Sequence, residues 1–172
     1  MSVSATPVRS DLQILPLDAR VVLYVTTLAF KPFKEVLEED VMVANDIEGV
    51  RRTLAAYCQL MDDGDYGEAA NLFHSDARWT VAGVVYNGIT EIRNLVASWP
   101  VPDGIKHLTF NSIIDVDGGL ATAVSDYLVM KATDIGGVAI RAGRYHDSLS
   151  RSASGEWKFS ERENRGSSFV RS

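Results

Sequence analysis

The chain of 172 residues carries three histidines, His74, His107 and His146, and one cysteine, Cys58. Imidazole is the side chain whose ordinary titration falls near neutral pH, so acid–base chemistry has a short list of candidates. His107 lies in the stretch Ile105 to Val116. Alternation there sends His107, Thr109, Asn111 and Ile113 to one face, and Leu108, Phe110, Ile114 and Val116 to the other. The polar set either faces solvent or lines a cavity, and the pattern alone does not choose. In the next extended stretch Asp126 shares a face with Thr122, Val124 and Leu128, so this acid belongs either at a sheet rim or inside a pocket. Asp62 closes a helical stretch, where the helix dipole disfavours a carboxylate unless a cation meets it. An imidazolium would serve, and Asp63 is a rival for the role. Tyr57 lies five residues earlier, about 140° around an ideal helix, so it shares a site with Asp62 only near the corner where the helix ends. Arg162 is either a surface cation or a buried partner for one of these acids. His74 follows Phe73 at a helix end and His146 stands among charges. No histidine has a second metal ligand at characteristic spacing.

Other chemistries are excluded by what is missing. There is no glycine-rich phosphate loop, no GxSxG and no His-Glu-x-x-His. One cysteine permits neither an internal disulfide framework nor a cysteine-rich metal site, and it fits a reducing cytoplasm. With 17 basic against 23 acidic residues the net charge is −6, and no basic cluster exceeds Arg51-Arg52, so nucleic acid is not the expected partner. No apolar run is long enough to span a membrane; Val21 to Phe30 comes nearest, but acids precede it and Lys31-Pro32 follows where a signal cleavage site should be. It is read instead as part of an N-terminal arm.

The elements that must position these residues are legible. Ile47, Val50, Leu54, Tyr57 and Met61 form one helical stripe, capped by Asn45 or Asp46 and ended at Asp62-Asp63-Gly64. Asp65 and Glu68 make a capping-box-like pair for a second helix through Ala69, Leu72 and Phe73. Ala77 to Val85 is extended around Gly83, and Thr90 opens a short helix that ends at Trp99-Pro100. Four long strands follow, Ile105 to Val116, Leu120 to Thr133, Val138 to Ser150 and Glu156 to Glu163, joined by short glycine-bearing turns. Helices first and a curved antiparallel sheet afterwards make an α+β plan whose bent sheet can cup a pocket. Residues 1–44 form the arm of unassigned role, 45–165 the domain and 166–172 a flexible tail.

Several strings carry a resemblance. They are Met61-Asp62-Asp63-Gly64-Asp65-Tyr66, Leu72 through Trp79, Gly88, Lys106-His107 with Asn111, Ala142 through Asp147, and Trp157 through Arg162. Over about residues 45–165 the chain resembles the SnoaL-like branch of the nuclear transport factor 2-like (NTF2-like) superfamily. It is most similar to the group of scytalone dehydratase, bile-acid 7α-dehydratase and gamma-hexachlorocyclohexane dehydrochlorinase. The resemblance implies a cone-shaped α+β barrel, with the curved sheet wrapped around N-terminal helices, and elimination chemistry without metal or organic cofactor. It places a catalytic dyad on His107 and Asp62, an arginine of the last strand on Arg162, a second-strand acid on Asp126 and a pocket tyrosine on Tyr57. Met61 departs from the pattern, since scytalone dehydratase has a carbonyl-activating tyrosine there.

The expected function is a cofactor-independent lyase: a dehydratase, a dehydrohalogenase or a carbon–carbon lyase such as an aromatic deformylase. An isomerase or polyketide cyclase of the same fold, a non-catalytic ligand-binding module, or the β subunit of a ring-hydroxylating dioxygenase are the alternatives. Trp79, Asn111, Tyr127 and Tyr145 are expected to bind an apolar or aromatic substrate. Phe110, Val129 and Phe159 are further wall candidates, and the chain is expected to form a homodimer or homotrimer.

Overall fold

The computed structural model describes residues 33–100 and 102–166. The chain divides between Glu38 and Glu39 into two units, and the sheet with all candidate residues lies in the second. Val21 to Phe30 and the tail beyond Gly166 fall outside the described residues. No helix among the described residues is long and apolar enough to cross a membrane.

Helix α1, Phe33–Asp63, starts twelve residues ahead of the expected cap at Asn45. Nothing between Phe33 and Asp63 breaks a helix except the single Gly49, and Lys34, Glu35, Leu37 and Glu38 favour one. Asp46 does not cap it but forms an ion pair with Arg151. The anticipated stripe is correct in its deeper part, with Val50, Leu54, Tyr57 and Met61 all buried. Gly64 takes the left-handed conformation that closes the helix, at φ 78°. Helix α2, Tyr66–Asn71, is shorter than expected, and Asp65 makes no side-chain cap. Phe73 leaves this helix to open strand β1, Phe73–Val81, where its ring packs against Phe159.

Strand β2, Val84–Asn87, folds back on β1 through Ala82-Gly83, both at positive φ, as a two-residue hairpin requires. Helix α3, Gly88–Ala97, follows, with the Asn87 backbone N–H donating to Glu91. Strands β3 (Ile105–Asp117), β4 (Leu120–Thr133), β5 (Gly136–Arg151) and β6 (Trp157–Gly166) form the expected antiparallel meander. The curved sheet runs in the order β2-β1-β6-β5-β4-β3 and is mixed, because β1 pairs parallel with β6; it does not close.

One irregularity decides which residues face inward. Phe110 pairs with Asp126 and Ile113 with Val124, so two residues of β3 stand opposite Ser125 alone. Asn111 sits in this bulge at φ 51°. An added residue reverses the parity of everything beyond it. Ser112, Ile114 and Val116 therefore turn toward the core, while Ile113, expected beside His107, is 68% exposed.

On the inner face β5 needs Gly143. A Cβ there would lie 2.8 Å from the Tyr127 ring and would collide with the Arg165 carbonyl. Gly143→Ala is expected to cost about 1–3 kcal/mol, as overpacking does, and a thermal melt against the parent protein measures it.

Candidate functional site

The sheet's inner face and α1 enclose a cavity of about 220 Å³ lined by Tyr57, Trp99, Pro100, His107, Tyr127, Val129, Arg141, Tyr145 and Asn164. Helix α1, strands β3, β4, β5 and β6 and the segment after α3 supply these groups, so the site exists only in the folded chain. Tyr57 comes from α1, one turn and a half before its end. Trp99 and Pro100 follow α3, held by the Tyr66 hydroxyl donating to the Pro100 carbonyl at 2.6 Å.

His107 is fixed from behind. Asp62 Oδ1 accepts the His107 backbone N–H at 2.8 Å and lies 2.7 Å from Nδ1, while Lys106 Nζ stands 3.4 Å from Oδ2. The Asp62 side chain is 6% exposed and the His107 side chain 18%. An ionised carboxylate only accepts hydrogen bonds, so Nδ1 must donate, and in the neutral ring Nε2 keeps its lone pair. Because His107 lines the cavity and Nδ1 is held by Asp62, Nε2 is the nitrogen left for a substrate. The cation expected to meet Asp62 at the helix end is the Lys106 ammonium, and the His107 ring N–H adds a donor beside it.

Three tyrosines, Tyr57, Tyr127 and Tyr145, line the cavity. The Tyr127 and Tyr145 rings stack at 4.3 Å, and Tyr57 meets Tyr145 edge-on at 6.3 Å. Burial raises the pKa of Tyr57, a shift that Arg162 partly offsets, and burial raises Tyr145 well above the ordinary phenol value. Both therefore remain neutral O–H donors. Asn164 escaped the sequence reading. Its Oδ1 accepts Trp79 Nε1–H at 2.8 Å, which fixes the amide so that Nδ2 is the group free for the cavity. Only the parallel pairing of β1 with β6, which sets Trp79 and Asn164 two residues apart in register, brings these groups together. No sequence motif signals it. Arg141 was missed as well.

Four expected site residues lie elsewhere. Arg162 does not line the cavity. It is fully buried, its Nε and Nη2 donate to Asp147 at 2.8 and 2.9 Å, and its guanidinium lies 4.1–4.3 Å from the ring centres of Tyr57, Tyr145 and Phe159. It lies against the rings of Tyr57 and Tyr145, packed behind the cavity and not on its wall, where contact with a developing oxyanion was expected. Asp126 points to the outer face, where Arg144 and Asn111 hold it and, chiefly through Arg144, lower its pKa. Asn111 is on that outer side because of the bulge. Trp79 is 0% exposed and packs on Phe73, Tyr57 and Trp99, reaching the cavity only through Asn164. Of the other wall candidates, Val129 lines the cavity, Phe159 is core and Phe110 is exposed on the outer face. Among the described residues no group of three or more His, Cys, Asp or Glu is placed to hold a metal ion.

Comparison with known proteins gives this geometry a setting. The model of a family described as SnoaL-like domain matches residues 42–163. Among solved structures, a variant of Rv3472, a function-unknown protein of Mycobacterium tuberculosis, is 27% identical, with a TM-score of 0.63, over 73% of this chain and 78% of that one. An NTF2-like protein with a cystatin-like fold from Novosphingobium aromaticivorans is 22% identical, with a TM-score of 0.72, over 83% and 94% of the two chains. A provisionally named scytalone dehydratase from the same organism is 21% identical, with a TM-score of 0.62, over 75% and 91%. No curated protein matches.

Proposed function

The chain belongs to the SnoaL-like domain family, which includes dehydratases and cyclases, and from that premise we propose that it is a lyase acting by proton abstraction from carbon. The observation that carries this reading is the 2.7 Å contact between His107 Nδ1 and Asp62, which leaves Nε2 as a base on a cavity walled largely by aromatic side chains. Nε2 takes a proton from a carbon next to a carbonyl, and the bonding pair moves to the carbonyl oxygen. As the carbonyl reforms, the bond to a leaving group on the next carbon breaks. A departing hydroxide takes the proton back from the imidazolium and leaves as water; a departing halide leaves that proton for solvent. Asn164 Nδ2 and the Tyr57 and Tyr145 hydroxyls are the donors for the transient oxyanion, and burial keeps them from competing water. Asp62 holds the ring orientation and balances the imidazolium charge.

The test is proton exchange. Aromatic carbonyl compounds carrying a hydroxyl or halogen one carbon further on are incubated with the protein in deuterated water. Product formation, or deuterium entering the carbon acid, is followed by NMR. Product or exchange above the protein-free rate supports the reading, while compounds that bind without either identify a binding module instead. Asn164→Leu is expected to lower the rate by about 10²- to 10³-fold, as loss of an oxyanion donor does, and to lower the melting temperature by several degrees, because the buried Trp79 Nε1–H loses its acceptor.

A further inference from the structure

Arg141 stands apart from the other strand arginines. Arg78 is paired with Glu161, Arg144 with Asp126, Arg151 with Asp46, Arg162 with Asp147 and Arg165 with Glu163. Arg141 has no acid or hydrogen-bond partner among the described residues. It lines the cavity that His107 lines and also the adjoining groove of about 420 Å³, which shares Trp99, Tyr127 and Asn164 with the cavity. Among the described residues no acid lines either space. In a chain of net charge −6, an uncompensated guanidinium at the mouth of an acid-free cavity calls for an anion from outside.

Register adds the distance. Val129 pairs with His107 on one side and with Arg141 on the other. The two side chains therefore leave the sheet from one row, with Cα atoms about 10 Å apart at ordinary strand spacing. The ladder shifts between Val129 and Met130, so Ile140 is an extra residue of β5 beside Arg141. Bulges of this kind re-aim side chains at sheet rims. Val129 lies between the two groups, and the stacked rings of Tyr127 and Tyr145 line the same cavity, a wall suited to the face of an aromatic ring.

We infer that Arg141 is a specificity determinant that anchors the carboxylate of an aromatic acid, with the aromatic ring against Tyr127 and Tyr145 and the reacting carbon at His107. This deepens the lyase reading and rests on it for the role of the carbon, though the anchor itself can be tested by binding. A planar carboxylate suits one guanidinium through two parallel hydrogen bonds. A phosphate ester, with its greater charge, would call for a second cation, and among the described residues no lysine or further arginine lines the cavity or groove.

The experiment measures the affinity of naphthoate and of its neutral isostere naphthamide by calorimetry, for the full chain and for Arg141→Met and Arg141→Lys. The parent protein is expected to prefer the acid by about tenfold or more, as a charge-assisted pair provides. Arg141→Met is expected to abolish the preference, and Arg141→Lys to restore part of it. Equal affinity for acid and amide in the parent protein, absence of binding by both, or a preference that survives Arg141→Met overturns the anchor. His107→Ala separates the two ideas. If it keeps the acid preference while the exchange experiment finds no chemistry in the parent protein, the lyase reading fails and the anchor stands. Exchange with no acid preference sinks the anchor alone.

Discussion

In the His107→Ala protein, turnover falls by about 10²- to 10⁴-fold, the contribution of a positioned general base. The expectation follows from geometry more than from the residue type. Asp62 grips the ring at Nδ1 and the backbone N–H of the same residue, so Nε2 is held in one orientation toward the cavity. Alanine keeps the backbone hydrogen bond to Asp62 and removes the base together with its Nδ1–H donor to that carboxylate. Affinity for a bound aromatic compound is therefore expected to change little while kcat falls. A structural role would give the opposite pattern, with weaker binding and kcat retained. The comparison is steady-state kinetics with calorimetry on the same variant, and rate retained within a factor of a few removes His107 from the chemistry.

The largest effect on stability is expected at Asp147. Its carboxylate and the Arg162 guanidinium are both fully buried and share two hydrogen bonds. Asp147→Ala leaves an unpaired cation in the core, a loss of about 3–5 kcal/mol. For a chain of this size that is a fall in melting temperature on the order of 10 °C. The rings of Tyr57, Tyr145 and Phe159 soften the loss, because they face the guanidinium at 4.1–4.3 Å. Arg162→Met combined with Asp147→Leu removes both charges and is expected to recover most of the stability, since an apolar replacement of both partners is often neutral. A denaturant series on the single and double variants measures this, and equal stability of Asp147→Ala and parent contradicts the assignment of the pair as structural.

The chain's local pattern determined much of this molecule. Period-two alternation and the turn residues between strands carried β3 to β6, because side-chain direction along a strand depends only on counting. The helix stripe through Val50, Leu54, Tyr57 and Met61 and the stop at Gly64 were equally local, and so was the electrostatic case for a cation beside Asp62. The start of α1 was misread because Asn45 and Asp46 look like caps, yet a cap acts only where the chain upstream is not already helical.

Tertiary structure alone decided which groups share the cavity. The bulge at Asn111 reverses the parity of β3, sending Asn111 and Ile113 outward, and no residue type in that strand demands it. Asp126 has the same neighbours along its strand whichever face is inner; the cover provided by α1 makes its face the outer one. Arg162 finds Asp147 across the β5–β6 ladder, and Trp79 fixes Asn164 across the parallel β1–β6 pair. Arg141 meets the row of His107 only through Val129 between them. Pairings between strands distant in sequence depend on register, which is set by the packing of the whole sheet. The residues alone left His107's face and the choice between Asp62 and Asp63 open, and only the fold brings His107 against Asp62 and builds the pocket around them.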